Sequence, residues 1–210
     1  MLKRGGVMIT KAELVRRLKN ACKSVCAAEA ELTEIDAQFG DADHGFTMVK
    51  ICNTIVEALD GSDGNIKEML DDAAMAVMRL NGGSAVPLWN TWLDGMQEGA
   101  PESDEMDVTE LKAMFARAFE ELDDMSGAKV GDKTLMDTLI PATEAMEAYE
   151  GSDVNEFFCV AAEAAEKGAE NSKNFASKFG RAKSYGAKTI GTPDAGAMSM
   201  AYFFKGLAEN

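Results

Sequence analysis

Residues 11–45 read KAELVRRLKNACKSVCAAEAELTEIDAQFGDADHG, and the change of pattern inside that stretch decides the fold. Leu14, Val15, Leu18, Cys22, Val25, Leu32 and Ile35 recur at mostly three- and four-residue spacing, the period of an amphipathic helix over about residues 11–35. Thr10 stands where an N-cap belongs. The periodicity then stops at Asp36-Ala37-Gln38-Phe39-Gly40-Asp41-Ala42-Asp43-His44-Gly45, which gathers three carboxylates, the chain's single histidine and two glycines. A helix followed by a short polar, glycine-bearing loop is the unit from which the rest is built.

The same alternation predicts helices over about residues 46–59, 66–80, from Pro87 onward, 109–125 with Thr109 as cap, from Thr134, 153–179 and 196–207. Pro141 should kink or break the helix that starts near Thr134. Asp153 with Glu156 three residues later has the form of a capping box. Residues 98–107, acidic and containing Pro101, read as a surface loop, and convincing strand alternation is absent. The expectation is a single all-α domain over residues 1–210, an antiparallel bundle or barrel of about eight helices joined mostly by short loops.

Composition narrows the function. The net charge of -15 argues against nucleic acid and against anionic lipid, both of which call for clustered Lys and Arg. No run of about 18 apolar residues offers a membrane span. Residues 1–8 are basic but lack the apolar run of a secretion signal. Cys22, Cys26, Cys52 and Cys159 show no metal or redox spacing and read as thiols in a reducing cytoplasm.

In an up-and-down bundle alternate connections share one end. The glycine-bearing breaks at residues 40–45, 82–83, 127–131 and 180–196 follow the first, third, fifth and seventh helices, so all four should line one rim. Asp36, Asp41 and Asp43 are hard oxygen donors suited to magnesium, although on spacing alone a solvated helix end explains them equally well. Asn81-Gly82-Gly83-Ser84-Ala85 can hold phosphate oxygens on backbone N–H groups, or be an ordinary C-cap. Gly131-Asp132-Lys133-Thr134 reads first as a capped helix start. Arg181, Lys183 and Lys188 bring positive charge to the rim of an acidic chain, as an anionic ligand would need. The methionines, Trp89 and Trp92 read as core filler.

Taken together these blocks resemble the nucleotide-binding L subunit of bacterial dihydroxyacetone kinases and the equivalent C-terminal domain of single-chain versions. The matching residues are Asp36 and Gly40 to Gly45, Gly82-Gly83-Ser84 with Pro87-Leu88, Gly131 to Thr134, Gly180-Arg181-Ala182, Ile190-Gly191, and Asp194 to Ala197. The resemblance implies an antiparallel helical barrel holding ADP or ATP at one rim through two magnesium ions. It assigns the metal to Asp36, Asp41 and Asp43. It assigns nucleotide contacts to His44, Gly45, Thr47, Gly83, Ser84, Ala85, Gly127, Leu135, Arg181, Asp194 and Gly196. No catalytic residue is assigned beyond the metal ligands. Ala85-Val86 stands where the family has Ser-Gly, Lys188 where it has Arg, and Ala195 where it has Pro.

The implied activity is transfer of a phosphoryl group to a small ketose, dihydroxyacetone, held on a separate K-type subunit. ADP would be recharged by a phosphohistidine (M-type) component of the phosphoenolpyruvate-dependent phosphotransferase system. Two alternatives stay open: an ATP-exchanging subunit serving another ketose such as erythrulose, and a nucleotide-sensing regulator of a transcription factor. Oligomeric state is open, a homodimer included.

Overall fold

The structure, a computed structural model, describes residues 8–209; the reading of residues 1–7 as no secretion signal lies outside them. Among the described residues it is built of α-helices: α1 (Lys11–Ala27), α2 (Glu29–Ala37), α3 (His44–Gly61), α4 (Ile66–Met78), α5 (Ala85–Gly99), α6 (Val108–Ser126), α7 (Met136–Ala148), α8 (Val154–Asn171) and α9 (Ala195–Ala208). Two-residue strands β1 (Ile9–Thr10) and β2 (Glu105–Met106) pair antiparallel, too short for any alternation to show in sequence. Among these helices none is long and apolar enough to cross a membrane.

From α3 onward each helix packs on the next in the chain, α1 packs on α3, and α9 closes against α1, so the helices form a ring. The closure depends on Gly206, where a Cβ would stand 2.5 Å from the Ala21 Cα; α1 and α9 therefore approach backbone to backbone. Apolar faces meet inside in one contiguous cluster. Its centre is aromatic: Trp92 stands edge-on to Trp89 and Phe203 with ring centroids 5.6 and 5.4 Å apart, the arrangement that ring quadrupoles favour. Arg17 is enclosed as well, its guanidinium donating to the Leu207 carbonyl at 2.8 Å and lying over the Phe158 ring, which anchors α1 to the end of α9.

Three local expectations give way, and of the kink or break expected at Pro141 the break does not occur. The predicted 11–35 helix breaks at Ala28, where neither Gly nor Pro gives warning, and the separate α2 packs on α3. Asp107, not Thr109, caps α6, in a full capping box with Glu110. α7 runs through Pro141 without a break, and the proline ring packs where Gly168 of α8 has no side chain. The helix expected to reach residue 179 ends at Asn171, because the buried Ser172 hydroxyl turns back to the Ala169 carbonyl at 2.6 Å.

Candidate functional site

The chain folds so that α3, α5, α7 and α9 all start at one end of the ring. A cleft of about 760 Å³ opens there, lined by residues from all four glycine-bearing connections. Its acidic side is the α2–α3 loop. Gly40 follows the end of α2 so tightly that a Cβ would lie 2.0 Å from Asp36 Oδ1. Ala42 takes φ of 60°, a left-handed conformation unusual for a residue with a Cβ. That turn leaves Asp41 and Asp43 beside Asp36, with one oxygen from each carboxylate within 4.8 Å of the others. Asp36 Oδ2 also accepts from the Asp43 and His44 amides at 3.1 and 3.4 Å, which fixes the loop to the start of α3.

Oxygens around an octahedral magnesium lie about 3–4 Å apart, given metal–oxygen bonds of about 2.1 Å. The carboxylate group fits that donor set with a small closure, and its loop is held by backbone bonds. His44 lies beside it, its Nε2 3.1 Å from Ser199 Oγ. Burial holds the imidazole below its ordinary pKa, while the charges of Asp36 and Asp43 pull the other way.

Opposite the carboxylates is the start of α5. Its N-cap residue, Ser84, makes no side-chain bond to the helix amides. Gly83 has open space where a Cβ would be. Backbone N–H groups are thus offered to the cleft with the positive end of a helix dipole behind them, a suitable seat for anionic oxygens. Leu88, Trp89, Leu135 and Met136 add an apolar wall. Trp89 belongs to the aromatic core and lines the cleft as well.

The remaining side rests on buried charge. Asp137, 1% exposed, accepts from the Gly131 amide at 2.6 Å and the Thr134 amide at 2.7 Å, and so shapes the α6–α7 loop. Lys133, 4% exposed and with φ of 62°, donates to the carbonyls of Ser172 and Thr192, joining that loop to the segment before α9. Burial lowers its pKa, against the charges of Asp194 and Asp137. Asp194 caps α9 by accepting from the Ala197 amide at 2.8 Å, and burial pushes its carboxyl up to about 7. Arg181 reaches across to Asp41 at 2.8 Å, and Phe39 stacks at an angle on Tyr185, so the segment from 181 to 192 leans on the acidic loop.

A DAK2 domain profile matches residues 38–209. The chain belongs to the DAK2 domain family. It is 33% identical to D-erythrulose kinase from Mycolicibacterium smegmatis, over 94% of this chain and 35% of that one. It is 30% identical to the ADP-binding subunit DhaL of the PEP-dependent dihydroxyacetone kinase from Escherichia coli, over 89% of this chain and 91% of that one. The crystal structure of the dihydroxyacetone kinase from C. freundii in complex with AMP-PNP and Mg2+ superposes with a TM-score of 0.69 at 23% identity, covering 99% of this chain and 35% of that one. This likeness establishes the all-α fold. The DAK2 domain thus spans about a third of the length of two of these relatives and nearly all of the third.

Asp36, Asp41, Asp43, His44, Thr47, Gly83, Ser84, Ala85, Leu135, Arg181, Asp194 and Gly196 of this DAK2 domain all line the cleft. Gly45 does not: it is buried against α2, where a Cβ would meet Thr33 Oγ1 at 2.2 Å. Gly127 ends α6 in a left-handed C-cap, and its neighbours Ser126 and Ala128 face the cleft instead. Lys183 and Lys188 are exposed and outside the lining. Asp137 escaped the sequence reading, and Lys133 entered it only as part of a capped helix start, since nothing local distinguishes a buried charge from a solvated one.

Proposed function

We propose that this chain is the nucleotide-carrying subunit of a dihydroxyacetone-type kinase, holding ADP or ATP with two magnesium ions in the rim cleft. The observation that carries the reading is the convergence of three carboxylates, the bare N-terminus of α5 and an apolar wall on one cavity. Asp36, Asp41 and Asp43 would hold the metal, whose contribution is to draw charge off phosphate oxygens. Gly83, Ser84 and Ala85 orient those oxygens through backbone N–H groups, and Arg181 adds positive charge at the cleft mouth. Leu135 and Met136 shield the apolar side of a base from water. Buried Asp137 and Lys133 keep the surrounding loops in place before a ligand arrives, which is the positioning that phosphoryl transfer depends on.

The acceptor would be a small ketose held by a separate K-type subunit, with an M-type phosphohistidine protein recharging ADP in the phosphoenolpyruvate-dependent form. Three of the relatives are named erythrulose kinases, which favours erythrulose as a second acceptor class. The test combines this chain with a K-type subunit and magnesium, supplies either ATP or phosphoenolpyruvate with the phosphotransferase proteins, and measures phosphorylation of dihydroxyacetone and of both erythrulose enantiomers. Transfer to one of them, dependent on both chains, is expected. Magnesium-dependent ADP binding without transfer to any ketose would overturn the kinase reading and leave a nucleotide sensor.

A further inference from the structure

The segment between α8 and α9 bends back over one side of the cleft mouth. Its base is fixed by hydrogen bonds. The Gly191 amide donates to the Lys173 carbonyl at 2.7 Å, the Ser177 amide to Thr189 Oγ1 at 2.9 Å, and the Lys178 amide to the Asp132 carbonyl at 3.1 Å. Beyond that base the chain projects a tip, Arg181 to Tyr185, between Gly180 and Gly186. Both glycines take positive φ, 59° and 54°, with open space where a Cβ would stand, so both can absorb a change of chain direction. The tip touches the α2–α3 loop through two side chains. Arg181 pairs with Asp41 at 2.8 Å, and the Tyr185 ring centroid lies 5.3 Å from that of Phe39. Phe179, Gly180, Arg181 and Ala182 line the cleft, which makes the start of the tip part of its wall.

We propose that residues 180–186 form a gate at the cleft mouth, latched by Tyr185 on Phe39, whose opening sets how fast a nucleotide enters and leaves. The inference rests on the reading of the cleft as a nucleotide site. Opening needs only the tip contacts to break, because the hydrogen bonds of the base lie outside both glycines. The Arg181–Asp41 pair is exposed and weakened by solvent, so the aromatic contact bears most of the latch. Tyr185 lies outside the cleft lining and acts through the gate, as a positioning residue. Entry and exit pass the same gate, so a weaker latch speeds both and leaves the equilibrium affinity nearly unchanged. Loss of a side chain that merely supports the site would instead speed release and lower affinity together.

The test uses the full chain with magnesium and radiolabelled ADP. Rapid filtration follows association, and a chase with unlabelled ADP follows release. Tyr185→Ala should speed both steps about fivefold, the worth of one aromatic contact, with Kd held within about twofold. Tyr185→Phe keeps the ring and should match the wild type. Trypsin supplies a second measurement that needs no nucleotide: cutting after the exposed Lys183 on the tip should quicken in Tyr185→Ala. Unchanged release, unchanged cutting, or faster release matched by an equal loss of affinity would overturn the gate and leave the nucleotide site standing. Failure of the wild-type chain to hold ADP with magnesium would overturn the nucleotide reading itself, and the gate with it.

Discussion

The two ends of the ring treat their helix starts differently. Away from the cleft, Thr10, Asn65, Asp107 and Asp153 each cap their own helix with a side chain, and two of them complete capping boxes. At the cleft, α3 borrows a carboxylate from Asp36, α7 borrows the Thr134 hydroxyl, and α5 has no side-chain cap. The positive-φ residues found among the described residues, from Ala42 to Gly191, also fall in the cleft-end connections. One end satisfies its own backbone; the other holds polar groups and strained turns in readiness for something else. Asp194 is the exception, a conventional cap at the cleft end whose burial raises its pKa to about 7.

Three substitutions test that division. Asp41→Ala should weaken magnesium-dependent ADP binding by about 100-fold, or about 2.7 kcal/mol. Stability should stay within about 0.5 kcal/mol, since the lost Arg181 pair is exposed. Calorimetric titration and thermal melting read the two quantities, and a loss of stability with affinity intact would break the comparison. Asp194→Asn should act through pH. With its folded pKa raised from 3.8 to about 7, the folded chain binds more protons than the unfolded one in that window. The group's contribution therefore falls as pH rises from about 4 to about 7. Asparagine keeps an acceptor for the Ala197 amide, so denaturant unfolding of the variant should lose that part of the decline; identical slopes would show that the carboxyl is not held out of water. Asp107→Ala, at the capped end, should cost about 1–2 kcal/mol and leave nucleotide affinity unchanged.

What was legible in the sequence follows from what is local. Helical periodicity gives most of the elements, and parity of connections groups residues 40–45, 82–83, 127–131 and 180–196 at one end from sequence alone. Asp36, Asp41 and Asp43 stood out because their spacing is short and a loop brings them together. The break at Ala28 and the passage of α7 through Pro141 did not stand out, because both depend on how neighbouring helices pack. Gly45 shows the same limit from the other side. A glycine in a ligand-like motif turned out to let two helices touch. Lys133 and Asp137 are ordinary charged residues in sequence, and only tertiary burial makes them a fixed support.

The contact between α9 and α1 has one further consequence. Arg17 holds the Leu207 carbonyl, so the beginning and end of the described chain lie side by side at the end opposite the cleft. The ring has no seam that the cleft depends on, because each helix is held by its neighbours on either side. A module joined at either end would therefore have its point of attachment on the side of the ring opposite the mouth of the cleft.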